Sequence, residues 1–304
     1  MRNFEMARPG RSIRHRIATA GRVLLGRDWA GRNLTVLADD TFLVSFPRSG
    51  STWLRFLIAN LAHPETPVTF RNLETVLPYI DIHPDQVLLK APKPRILETH
   101  EPFFPAYPRV IYIVRDPRDV AVSYHYILIK DRHLPEDFPM DDFLPLYLQG
   151  KDFGVKIGAW ADHVMSWVRM RQGSETFLLI RYEDLLENTE RELGRIKEFL
   201  RIPGGAQEVS RAVEMSSASR MRKLERTEWR LWPTTRRSLG DKPFVRSAKS
   251  GDWKSALNNR AIQAIESAWA PAMRALGYPL ASEGAAALSQ NGDAALPPAA
   301  PSRS

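Results

Sequence analysis

Phe42-Leu43-Val44-Ser45-Phe46-Pro47-Arg48-Ser49-Gly50-Ser51-Thr52-Trp53 is an apolar run of strand length, a turn of small and polar residues, and the opening of a helical pattern that continues to about Leu61. A buried strand that feeds a helix through such a turn aims successive backbone N–H groups and the helix N-terminus at one place, which suits an anion. Ser49, Ser51 and Thr52 add hydroxyl donors, and Arg48 adds a fixed positive charge. The same pattern also fits an ordinary polar turn capping a helix. It is not the nucleoside-triphosphatase loop G-x-x-x-x-G-K-[ST], because the leading Gly and the Lys are both missing.

Outward from this stretch, strand-length apolar runs alternate with helical patterns. Arg95 to Thr99 reads as a second, shorter strand and Val110 to Val114 as a buried one. Pro117 opens a helix to about Lys130, its fixed φ and missing N–H both suiting a first helical turn. An amphipathic stretch from Val155 to Met170, a strand from Phe177 to Ile180, and helices over Thr189 to Leu200 and Ala261 to Leu276 follow. Strands separated by helices predict an α/β, P-loop-like three-layer fold, a central parallel sheet flanked by helices, with ligands at the carboxyl ends of its strands.

The 304 residues carry 43 Lys and Arg against 35 Asp and Glu, a formal charge of +8 that suits an anionic ligand without identifying one. With no cysteine, disulfides, thiolate nucleophiles and Cys-ligated metal centres are excluded, and a cytoplasmic location is expected. No run reaches the roughly 20 apolar residues that cross a bilayer, and Gly26 and Arg27 cut short the only early apolar run, so no secretory signal is read. The first 35 residues form a basic arm with Arg2, Arg8, Arg11, Arg14, Arg16, Arg22, Arg27 and Arg32 against Glu5 and Asp28. That arm is read as solvated, or as a short basic helix in weak peripheral contact with anionic lipid. Residues 281–304 are rich in Ala, Ser, Pro and Gly and read as a disordered tail, leaving 36–280 as one domain.

A second strand, turn and helix runs through Val114-Arg115-Asp116-Pro117-Arg118-Asp119-Val120-Ala121-Val122-Ser123. Arg115 falls at the end of a strand and Ser123 two turns along the helix, a guanidinium fork and a hydroxyl suited to a phosphate, or else a plain capped helix start with solvated charges. With both segments in view, the chain resembles the sulfotransferase superfamily that uses 3′-phosphoadenosine-5′-phosphosulfate (PAPS). Phe46 to Trp53 is similar to the family's Y-P-K-S-G-T-T-W, and Arg115 to Ser123 to its R-[DN]-x-[RK]-D-x-x-x-S. The resemblance continues through Tyr182-Glu183-Asp184 and through Arg246-Ser247-Ala248-Lys249-Ser250-Gly251-Asp252-Trp253-Lys254, similar to the late R-K-G-x-x-G-D-W-K.

The resemblance implies that Arg48, Ser49, Gly50, Ser51 and Thr52 hold the 5′-phosphosulfate and that Trp53 packs on adenine. It likewise implies that Arg115, Ser123, Arg246, Ser247 and Ala248 bind the 3′-phosphate, with Tyr182 and Ser216 near the nucleotide. His100, in Glu98-Thr99-His100-Glu101-Pro102, matches the family's K-[ST]-H-x-P and is implied as the base that deprotonates the acceptor. Arg48 stands at the usual Lys of the cradle, Glu98 at the motif's Lys, Ser247-Ala248 at the late Lys-Gly, and Ala218 at a frequent adenine-stacking Phe, with Met221 as its substitute. Glu98 is read either as orienting His100 or as the base itself.

The expected function is therefore sulfuryl transfer from PAPS to a hydroxyl or amine of a small-molecule, lipid or glycan acceptor. No metal is required in principle, since the leaving phosphate is weakly basic, and nucleic acid is not a partner. A P-loop kinase or NTPase and a nucleotide-binding protein without catalysis are the alternatives. The segments His63 to Pro94, Asp131 to Phe153 and Glu225 to Pro243 lack cofactor motifs and are read as shaping the acceptor pocket. Trp229 and Trp232, among Arg226, Arg230, Arg236 and Arg237, are read as stacking on an acceptor ring or as a solvated basic lid. No dimer motif is evident, and oligomeric state stays open.

Overall fold

Strands β1 (Thr41–Ser45), β2 (Ile96–Thr99), β3 (Arg109–Val114) and β4 (Phe177–Arg181) form one parallel sheet in the order β2-β1-β3-β4 in the computed structural model. It describes residues 34–151, 157–232, 235, 238–240, 242–281 and 283. Val44 pairs with Thr99 on one side and Tyr112 on the other, and Ile113 pairs with Ile180. All five residues of β1 are buried, the near-continuous apolar run expected of a parallel strand covered on both faces.

The helices are α1 (Ser51–Ala62), α2 (Leu73–Val76), α3 (Asp85–Leu88), α4 (Pro117–Lys130), α5 (Met140–Leu148), α6 (Trp160–Arg171), α7 (Tyr182–Glu187), α8 (Thr189–Leu200), α9 (Ala206–Met215), α10 (Ala218–Glu228), α11 (Trp253–Ala256) and α12 (Asn259–Ala275). Strand alternation sorts the core. Phe42, Val44, Val110, Tyr112 and Val114 pack with Trp160, Val164 and Trp167 of α6 and with Ile265 and Trp269 of α12. Leu43, Ile111 and Ile113 face the other way, onto Leu54, Leu57 and Ile58 of α1 and Leu193 and Ile196 of α8. These are the three layers expected from the sequence.

Within the amphipathic stretch read from Val155 to Met170, α6 opens at Trp160, because Gly158 has a φ of 75° and Ala159 is extended, and neither continues a helix; Val155 and Lys156 lie outside the described residues. Among the described residues no helix is long and apolar enough to cross a membrane. The basic arm and the Ala/Pro/Ser-rich tail lie, but for a few residues, outside the described residues, as do Arg236 and Arg237.

From β1 the chain goes first to β2 on one side and then to β3 on the other. That reversal leaves a crevice past the carboxyl ends of β1 and β3, where such sheets hold ligands.

Candidate active site

The residues singled out above leave the sheet at that edge, one strand each. Arg48 lies three residues past β1, His100 one past β2, Arg115 one past β3, and Tyr182 opens α7 directly after β4. The turn after β1 is tight: Ser49 N–H donates to the Phe46 carbonyl (3.2 Å), Arg48 has a φ of 71°, and Gly50 caps α1 with a φ of 101° and no side-chain cap. With no cap and no preceding helical turn, the first N–H groups of α1 are left for an anion.

Gly50 is required twice over. Its φ is in the region that favours glycine, and a Cβ there would sit 2.5 Å from Cδ2 of Tyr182. Tyr182 cannot recede, since its ring carries the Arg115 guanidinium at 4.4 Å and meets Trp53 edge-on at 5.9 Å. Trp53 is fixed in turn by its indole N–H, which donates to the Ser216 carbonyl (3.1 Å). Met221, 2% exposed, belongs to the cluster on which Trp53 packs.

Arg48 joins the two phosphate motifs. Its Nε donates to Ser123 Oγ (3.2 Å) and its guanidinium lies over Phe244 at 4.6 Å. Burial, offset in part by Asp131 and reinforced by the neighbouring Arg115 and Arg246, lowers Arg48 to about 10. Like charges so close repel, and the arrangement gains from an anion among them.

The third contributor is the loop after residue 244. Arg246 pairs with Asp252 (2.7 Å), and the Ser247 hydroxyl donates to the same carboxylate. Asp119 of α4 accepts from the N–H groups of Gly251 (2.7 Å) and Trp253 (3.0 Å), and Arg115 Nη2 donates to the Lys249 carbonyl (2.8 Å). Arg222 of α10 donates to the carbonyls of Val245 (3.2 Å), Arg246 (3.0 Å) and Ser247 (3.1 Å). Arg222 and Phe244 were not singled out in the sequence. Arg222 carries no motif, and only its place one position after Met221 on the buried side of a helix sets it apart from the exposed Arg220 and Lys223.

Three buried donors in this region have no hydrogen-bond partner: Ser49 Oγ, Arg115 Nε and Arg246 Nε. Buried polar atoms are rarely left unmatched, and these three are free to meet acceptor oxygens.

His100 is held at its Nδ1, 2.8 Å from the Ser45 carbonyl and 3.1 Å from Ser45 Oγ. A carbonyl only accepts, so Nδ1 carries the proton and Nε2 of the neutral ring keeps its lone pair. Tyr79 packs edge-on against the ring at 5.3 Å.

Three residues read from the sequence are engaged within the protein. Glu98 is 3% exposed and its carboxylate pairs with Arg55 (2.7 Å), which also pairs with Glu74 (2.9 Å), rather than with His100. Ser216 is fully buried, its hydroxyl accepting from Asn60 (3.1 Å) and its carbonyl from the Trp53 indole (3.1 Å). Trp232 is core, 2% exposed, with its indole N–H on Glu74 (3.1 Å) and its ring against Phe70 and Phe244.

Residues 38–277 match the sulfotransferase domain family. The chain belongs to the sulfotransferase family. It is 31% identical to sulfotransferase 2B1 of Mus musculus over 76% of this chain and 70% of that protein. It is 30% identical to the 3-beta-hydroxysteroid sulfotransferase of Cavia porcellus over 71% of this chain and 77% of that one. Among solved structures it is similar to mouse sulfotransferase SULT7A1 complexed with PAP, with a TM-score of 0.65 and 25% identity over 91% of this chain and 96% of that chain.

In this sulfotransferase Ala248 has a φ of 53°. A left-handed non-glycine residue costs about 1–2 kcal/mol, and glycine's extra unfolded-state freedom returns roughly 0.5–1 kcal/mol of that. Ala248→Gly is therefore expected to raise stability slightly, by about 0.5–1 kcal/mol in urea denaturation.

Behind His100, burial lowers His163 to about 3 from 6.5, against opposing hydrogen bonds to the His100 and Glu101 backbone. The unfolded chain binds this proton near pH 6.5 and the folded chain only near pH 3, so stability falls as pH drops through that window. His63 and His125, also lowered mainly by burial, act in the same direction, while Asp119 and Glu183, raised mainly by burial, oppose it. The His163→Gln variant is expected to lose stability less steeply than the parent between about pH 6.5 and pH 4 in urea denaturation, the difference reporting His163 alone.

Proposed function

We propose that the chain moves the sulfuryl group of PAPS to a hydroxyl or amine of a small-molecule, lipid or glycan acceptor. The observation that carries this is the convergence of Arg48, Arg115 and Arg246 with the unpartnered donors Ser49 Oγ, Arg115 Nε and Arg246 Nε past the ends of β1 and β3. PAPS supplies an activated sulfuryl group on a phosphate that leaves without needing a proton. Arg48 and the first N–H groups of α1 hold the 5′ side and stabilise the charge that develops on the leaving oxygen. Arg115, Ser123 and Arg246 hold the 3′-phosphate, and Trp53, braced by Tyr182 and the Ser216 carbonyl, supports adenine.

His100 supplies the base. Its Nε2 lone pair takes the acceptor proton as the acceptor oxygen or nitrogen attacks sulfur, forming the new bond while the bond from sulfur to the 5′-phosphate oxygen breaks. The name of the Cavia porcellus relative supports a hydroxyl acceptor. The cysteine-free composition supports a cytoplasmic location, and the basic arm a weak contact with anionic lipid.

Incubation of the full chain with PAPS labelled in its sulfuryl group and a panel of sterols, phenols and sugars tests the reaction. Labelled product and stoichiometric 3′,5′-ADP are expected with at least one hydroxyl compound. Consumption of ATP with Mg²⁺ and no consumption of PAPS would overturn the proposal in favour of a kinase.

A further inference from the structure

Three side chains on one face of α6, at positions i, i+3 and i+4, each take a main-chain polar group of the segment that carries His100. His163 Nε2 donates to the His100 carbonyl (3.0 Å), Ser166 Oγ accepts from the Phe103 N–H (3.0 Å), and Trp167 Nε1 donates to the Glu101 carbonyl (2.9 Å). The Ser166 hydroxyl donates its own proton to the His163 carbonyl (2.7 Å), which leaves its lone pair for Phe103. His163 is 1% exposed. Its Nε2 faces a carbonyl and must carry the proton, so Nδ1 accepts, and Tyr112 O–H of β3 donates to it at 2.9 Å.

We infer that α6 sets the position of the His100 ring, with His163 as the principal positioning residue, holding the His100 backbone while Ser45 holds the ring. The inference rests on the reading of His100 as the base. Two anchors on one residue, the carbonyl on α6 and Nδ1 on β1, remove the freedom of a loop that starts where β2 ends. A misplacement of about 1 Å at a reacting group costs on the order of 10²-fold in rate, which is the value of such an anchor. The unbroken run from Tyr112 through His163 to His100 also ties the base to the strand that delivers Arg115, so the two halves of the site keep their separation.

The test uses the full chain labelled with ¹⁵N-histidine and saturated with 3′,5′-ADP. The parent, His163→Gln and His163→Leu are compared, with the His100 ring signals assigned by their loss in His100→Ala. The parent and His163→Gln, whose side-chain amide donates from the same place, are expected to show His100 as a single Nδ1-protonated tautomer. His163→Leu is expected to show ring shifts averaged between tautomers while retaining the parent's affinity for 3′,5′-ADP. Unchanged His100 shifts in His163→Leu, or equal displacement in Gln and Leu variants, would overturn the inference. If His163→Leu does not fold, Tyr112→Phe removes the hydroxyl that fixes His163, and there too averaging is expected and an unchanged signature overturns it. Turnover of His100→Ala answers separately: continued transfer removes the base assignment and leaves the ring-orientation result standing.

Discussion

His100→Ala is expected to lower kcat by about 10²–10⁴, the usual range for a general base, while leaving affinity for 3′,5′-ADP intact. The two effects separate because the ring is oriented from behind by Ser45 and touches none of the three guanidiniums in the structure. Its Nε2 is the one ring atom left for an acceptor, so removing the imidazole deletes proton acceptance and little else. Single-turnover transfer to a phenol, measured beside calorimetric titration with 3′,5′-ADP, reads both quantities. Equal losses of binding and rate would place His100 in the nucleotide cradle instead. Glu98→Gln has a different expected signature, because Glu98 neutralises the buried Arg55 at 2.7 Å. Its loss leaves a buried charge with Glu74 as its remaining acidic partner, and the effect falls on stability before it falls on chemistry.

Gly50→Ala carries the largest expected effect on the fold and the cradle together. A methyl group at this position meets Cδ2 and Cε2 of Tyr182 at 2.5 and 2.9 Å, in a backbone conformation with φ at 101°. Left-handed strain contributes about 1–2 kcal/mol and forced repacking roughly 1–3 kcal/mol, so a total loss of about 2–5 kcal/mol is expected in urea denaturation. Relief requires Tyr182 to move, and Tyr182 supports both Arg115 and Trp53. Nucleotide affinity is therefore expected to collapse with stability, which distinguishes Gly50 from an ordinary capping glycine. A stable Gly50→Ala protein with normal 3′,5′-ADP binding would contradict the geometry of the turn.

Much of the fold was legible before the structure because parallel strands buried on both faces appear as near-continuous apolar runs, and Phe42 to Val44 and Val110 to Val114 are such runs. Arg48 and Arg115 could be placed from the sequence because each lies within three residues of the end of such a strand, at the sheet edge where ligands bind. What was not legible depended on partners distant in the chain. Glu98 sits in a motif next to His100, yet its partner is Arg55, 43 positions earlier on α1. Trp232 lies among arginines, and only the fold brings Phe70, Phe244 and Glu74 around it. The helix start at Trp160 is not marked in the amphipathic stretch, because apolar periodicity runs through Gly158, whose positive φ is not helical. The Arg222 clamp on residues 245–247 has no sequence signal at all, since it is made by one side chain to three backbone carbonyls.

On the proposed function, the turn after β1 and the strand-end Arg115 hold two phosphates of one nucleotide. Thermal unfolding of the purified full chain with 3′,5′-ADP, 5′-AMP or ATP with Mg²⁺ tests it most directly, because a ligand that binds only the folded state raises the unfolding temperature. Marked stabilisation by 3′,5′-ADP is expected, much less by 5′-AMP, and the difference is expected to vanish in Arg115→Ala. Stabilisation by ATP with Mg²⁺ and none by 3′,5′-ADP would contradict it.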